Sequence, residues 1–339
     1  MIKKERLNDI VILRSVSILL VVFVHSFYIY NYGVLSDINT PFLQIERFVN
    51  LDILNKFRMP MFIFISGFLF SFLHYKKHKY PRFVDLFKNK FKRLIIPYWV
   101  FFPITALCLG KLYQLSVYDF LYPMGHLWFL LMLFWCFVFT KGILVCKLDQ
   151  NKYIVLTIYM LIYVLAFSHG QITKIGGLQD FASNFIYFFT GFICYKYDNI
   201  LKLRNSSLSR IIFLGFLACL FCIIEILLMN ESHFTWGRLI LPASSILIVI
   251  FGYSIVNKML NKNWIKVGPI FEKINKMSYG IYVCHPWLID SIISNKFNIS
   301  IAREYTILFP LTLFFVVLGV SILFSAVMLK TRIGRFLIG

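Results

Sequence analysis

Ten stretches of this chain are apolar over lengths that a lipid bilayer accepts, and no other property limits its possible folds as strongly. A helix needs about 20 mostly apolar residues to cross the hydrocarbon core. The stretches lie near residues 10–30, 57–74, 94–112, 126–147, 152–168, 182–196, 211–229, 237–257, 278–294 and 305–329. Their lengths exceed what a barrel strand needs, and a helix satisfies its own backbone in lipid. An all-α, polytopic integral membrane protein is therefore expected. The first stretch has no small-residue cleavage site and is followed by further spans, so it reads as a membrane helix and not as a signal peptide. Composition agrees: 59% of the 339 residues are hydrophobic and only 15% are charged, against about 25% charged in a soluble domain.

A net charge of +20 raises the question of nucleic acid, and the placement of the charge answers it. With the N-terminus inside, 26 of the 35 Lys and Arg residues fall on the cytoplasmic side, 7 fall on the opposite side, and Arg14 and Arg58 lie at or within spans. This is the positive-inside pattern. It predicts ten spans with both termini cytoplasmic, and membrane lipids, not nucleic acid, as the partner of the charge. The run "KKHKYPRFVDLFKNKFKR" (76–93) is first a topology anchor on an anionic leaflet. The seven cysteines sit in or beside apolar stretches without a CxxC pair, so neither a metal site nor a bound cofactor is expected. The polar connections are too short to fold alone, and residues 1–339 read as one membrane domain with no separate soluble unit.

Ionisable groups inside spans are costly and mark function by default. In "LRSVSILLVVFVHSFY" (13–28) Arg14 and His25 are eleven residues apart. That is close to three helical turns, so both side chains share one face, about 16 Å apart along the axis. Arg14 then sits near the cytoplasmic mouth and His25 at or beyond the midplane. The structural alternative is a snorkelling arginine and a histidine bonded to a neighbouring helix. "FRMPMFIFISGFLF" (57–70) puts Arg58 on the outer side and Ser66-Gly67 deep inside, where small residues also allow close helix packing. Lys90, Lys92 and Arg93 stand at the cytoplasmic entrance of span three, and His126 opens span four at the outer face. His285 lies about 10 Å into span nine, ahead of a proline that should kink the helix and free a carbonyl. Glu225 is a buried acid in span seven, with Arg238 as a candidate partner.

In this order, these stretches resemble the acyltransferase-3 family of bacterial membrane O-acyltransferases. The resemblance is carried by Arg14 and His25 in the first span and by "MPMFIFISGFL" in the second. It continues in "KRLIIPYW" entering the third, "HLWFL" opening the fourth and "SYGIYVCHPWL" in the ninth. It implies transfer of an acyl group, usually acetyl, from cytoplasmic acyl-coenzyme A to a glycan or lipid-linked sugar hydroxyl at the outer face of the bacterial cytoplasmic (inner) membrane. It further implies that His25 is the catalytic histidine, Arg14 its paired cation, and Lys90 with Arg93 the paired basic motif. Arg58, Ser66, His126 and His285 are further candidates. The expected chemistry has Arg14, Lys90 and Arg93 holding the donor phosphates, the pantetheine arm threading the bundle, and His25 acting as general base. An acyl-histidine intermediate is the competing path. Ser66 or a backbone N–H near Gly67 is the expected oxyanion donor. The alternative function is a flippase or exporter of lipid-linked glycan, although the paired, broken helices common in transporters are not seen.

Overall fold

The computed structural model describes residues 7–230 and 234–339. Among these residues there are helices and connections and no strand. The principal helices are α1 (Asn8–Ser26), α2 (Pro41–Tyr75), α3 (Phe83–Cys108), α4 (Gly125–Val145), α5 (Lys152–Phe167), α6 (Leu178–Lys196), α7 (Leu208–Asn230), α8 (Phe234–Asn261), α9 (Pro269–Ile293) and α10 (Leu308–Met328). Seven of them are long and apolar enough to cross a membrane: α1, α2, α3, α4, α7, α8 and α10. The other three expected spans exist as helices but differ in character. α5 has only 16 residues. α6 carries Asp180, Ser183 and Asn184 in its first turns, and α9 carries Glu272, Lys273, Lys276 and Asp290.

Two helices begin well before the expected positions. α2 starts at Pro41, with Thr40 as N-cap accepting from the Leu43 amide at 3.3 Å and a proline at the first helical position. Residues 41–52, between the first two expected spans, are therefore helical. α3 starts at Phe83 and not near 94, so half of the basic run is helix. Phe83, Phe87 and Phe91 stack along one side at 6.3 and 6.1 Å and Leu86 is fully buried, while Lys88, Lys92 and Arg93 are exposed. Both early starts include a π-helical segment, Phe48–Leu54 in α2 and Phe91–Ile95 in α3.

Helix α1 is the hub, packing on α2, α8, α9 and α10. In its apolar window 61% of residues are buried, as in α4, against 17% in α7 and 22% in α10. The outward faces of these last two, with Phe213, Phe216 and Ile223 on α7 and Phe315, Val320 and Leu323 on α10, are exposed and apolar. That is the surface a bilayer covers. The tightest crossing is α2 on α6. A Cβ added at Gly67 would stand 1.9 Å from the Phe188 carbonyl oxygen, and one at Gly191 2.0 Å from that of Phe64. The packing role of Gly67 is thus the observed one. Its Cα face lies against α6, and the residue sits inside α2, where backbone N–H groups bond back to the preceding turn.

Candidate active site

α1 and α9 cross so that His25 meets His285. Nδ1 of His25 lies 2.9 Å from Nε2 of His285, and the rings stack with centroids 5.0 Å apart. The other nitrogen of His285, Nδ1, lies 2.9 Å from the Ile281 carbonyl. A carbonyl only accepts, so Nδ1 of His285 carries the hydrogen, and its Nε2, in the neutral ring, is the acceptor. Nδ1 of His25 must then donate, which leaves Nε2 of His25 with a free lone pair. The sequence supports this geometry locally. Pro286 has no N–H to give to the carbonyl of Tyr282, four residues back, and that carbonyl also lies within reach of the His285 ring. α9 runs through Pro286 without a break, from Pro269 to Ile293.

Two cavities lie near this pair: His25 lines one, and Tyr282, whose ring is 6.3 Å from that of His285, lines the other. The outer one, about 280 Å³, is lined by His25, Thr105, His126, Trp128, Pro286 and Asp290, among others. The inner one, about 140 Å³, is lined by Arg14, Met59, Phe62, Ser66, Tyr279 and Tyr282, among others. Tyr282 stands between the two. Its hydroxyl donates to the His126 carbonyl, and its ring packs on Phe129 at 5.3 Å and on His126 at 5.6 Å. Trp287, bonded through its indole N–H to Thr105 at 2.9 Å, backs His126 from the other side at 6.2 Å.

The expected residues are therefore distributed as follows. Arg14 and Ser66 share the inner cavity, while His25 and His126 share the outer one. His285 is fully buried behind His25. Ser66 donates to the Phe62 carbonyl at 3.0 Å, so its hydrogen is committed within α2. Arg58 is buried, held by Asn55 at 3.1 Å from Nε, and lies within electrostatic reach of His25 and His285. Arg93 is exposed at the mouth and donates to the Gly339 carbonyl. Lys90 turns inward, its ammonium 3.5 Å from the Phe137 ring centroid, yet stays within electrostatic range of Arg14 and Arg93. No carboxylate among the described residues pairs with Arg14 or Lys90.

Glu225 pairs with Lys56 at 3.2 Å and not with Arg238, and accepts from the Ser244 hydroxyl. Lys56 reads from sequence as a loop lysine. The early start of α2 carries it into the bundle instead. Asp290 and Tyr282 are additions that sequence reasoning passed over. Asp290 had a usable signal, since an acid inside an apolar stretch is itself a flag. Tyr282 had none, because the chain holds 19 tyrosines.

A buried imidazole pair, one cavity lined by His25 and His126, and another lined by an Arg14 without a carboxylate partner among the described residues sit in a helical bundle with seven helices long and apolar enough to cross a membrane. The chain belongs to the acyltransferase-3 family: the family profile, described as an acyltransferase domain, matches residues 7–330. It is thus a membrane acyltransferase. Comparison with curated proteins and with solved structures gives no match.

Proposed function

We propose that the protein crosses the bacterial inner membrane ten times with both termini cytoplasmic, and moves an acetyl group from acetyl-coenzyme A to a glycan hydroxyl on the outer side. The observation that carries this reading is the His25–His285 pair, with His25 lining the His126 cavity and Tyr282, a wall of the Arg14 cavity, packed on His126. The donor phosphates are held from the cytoplasm by Arg14 and Arg93, with Lys90 adding to the local positive field. The acyl-pantetheine arm enters the inner cavity, and the acceptor enters the outer one. Nε2 of His25 takes the acceptor's hydroxyl proton as its oxygen attacks the thioester carbon. The tetrahedral adduct collapses, the C–S bond breaks, and the thiolate leaves with the proton returned by His25. His285 fixes the tautomer and spreads the imidazolium charge toward the Ile281 carbonyl. Arg58 supplies fixed positive charge for the oxyanion in place of Gly67.

The test is glycan mass analysis with purified-enzyme kinetics. Wild-type cells should carry an acetyl-sized mass that cells lacking the protein do not; loss of the whole outer polymer would instead indicate an exporter. His25→Ala should lower kcat by about 10²–10⁴ with donor affinity nearly unchanged. Arg14→Ala should mainly raise the KM for acetyl-coenzyme A. A His25→Ala enzyme turning over at the wild-type rate would end the catalytic assignment.

A further inference from the structure

Beside the outer chamber lies a larger cleft, about 710 Å³, between the outer halves of α2, α6, α7 and α8. Trp128 lines both spaces, so the two are neighbours across one indole. Of the residues lining this cleft, the proposed reaction uses Arg58 alone. Its walls are costly for a protein inside a membrane. Lys56 and Glu225, each about 4% exposed, are ion-paired at its edge. Removing two charges from water is repaid only where the surroundings stay polar, and such groups in membrane proteins face water-filled or ligand-filled space. A lipid chain in the cleft would leave that cost uncompensated.

We propose that this cleft is a second saccharide subsite, which holds the part of the acceptor glycan next to the sugar being acylated. The proposal rests on the glycan-acceptor reading above. Three features point to a neutral, hydroxyl-rich occupant. The charges balance, with Lys56 and Arg58 against Asp52 and Glu225, whereas a phosphate-bearing ligand would call for excess cation. Acceptors remain uncommitted. Asp52 makes no ion pair or hydrogen bond among the described residues. Asn184 spends its amide hydrogens on the Asp180 carbonyl and Ser183, both at 2.9 Å, which leaves its carbonyl oxygen to accept a ligand hydroxyl. Aromatic faces are present in Phe48, Trp128 and Tyr187, suited to the C–H faces of a pyranose. The volume, about two and a half times that of the His25 chamber, gives room for more than one sugar unit.

The experiment places the photo-crosslinking residue p-benzoylphenylalanine at Phe48, an exposed aromatic position lining the cleft. The full-length protein is expressed and irradiated in cells that make the surface glycan, and the adduct is weighed. Adducts with masses of two or more sugar residues are expected. Asp52→Asn and Asn184→Ala should each reduce their yield about fivefold, the effect of one lost hydrogen bond. Expression and coenzyme A binding should not change. Phospholipid-mass adducts, no adduct, or saccharide adducts unmoved by both substitutions would overturn the proposal. Saccharide adducts in cells whose glycan the wild type leaves unacylated would remove the acyl-transfer reading and keep the cleft. Normal acylation without such adducts would do the reverse.

Discussion

At the scale of single residues, the site depends on one nitrogen being free. His25 presents Nε2 to the outer chamber because its Nδ1 is tied to His285, and His285 is tied in turn to the Ile281 carbonyl. His285→Ala removes that tie without touching substrate. It should lower kcat by about tenfold to a hundredfold while leaving the KM for acetyl-coenzyme A near the wild-type value. His285→Gln, whose side-chain carbonyl can accept from His25, should recover part of the loss, a rescue that a merely structural role would not produce. Steady-state kinetics on the three proteins decides this. Arg14 and His25 were legible in the sequence because two costly groups at a helical spacing stand out from an apolar background. Their connection to His285 was not legible, since 260 residues separate the partners and only the crossing of α1 with α9 brings them together.

At the scale of elements, close packing and polar ties between helices hold the bundle. Gly67→Ala forces a methyl group into the Phe188 backbone, and overpacking of this kind costs about 1–3 kcal/mol or more. The melting temperature of the purified protein should fall clearly. Gly142→Ala on α4, where an added Cβ meets nothing within 4 Å, should be neutral or slightly stabilising. Between α4 and α5, Asp149 pairs with Lys196 at 2.7 Å and accepts from Tyr75 at 2.6 Å. Burial pushes the Asp149 carboxyl upward, but Lys196 and Tyr75 together hold it below its ordinary value. A carboxyl lowered on folding stabilises the protein above its unfolded pKa of about 3.9 and loses that contribution as pH falls through the folded value. Asp149→Asn should therefore lower the melting temperature at pH 7. The gap to wild type should close as the buffer is taken below about pH 4. A gap that stays constant with pH would mean the pair contributes nothing through its charge.

At the scale of the whole molecule, orientation follows from the 26-to-7 split of basic residues. Reporter fusions near Asn39 and Lys174 should read as outside and one near Lys77 as inside. A reversal at Lys77 would overturn the donor side along with the topology. By itself, the sequence determined that this is an all-helical membrane protein, because apolar length and charge asymmetry are one-dimensional properties that a bilayer reads directly. It also carried the family, through short motifs that keep their order along the chain. Helix starts were read less well: α2 and α3 begin earlier than hydropathy suggests, because their first turns are polar on average and pack through single residues such as Leu43 and Leu86. Only the tertiary structure decided that Gly67 serves packing, that Lys56 answers Glu225, and that His285 stands behind His25. Each of these turns on which face of one helix meets which face of another. Crossing geometry is set by close contacts between segments far apart in the chain, and hydropathy, which averages over a helix, carries no record of it.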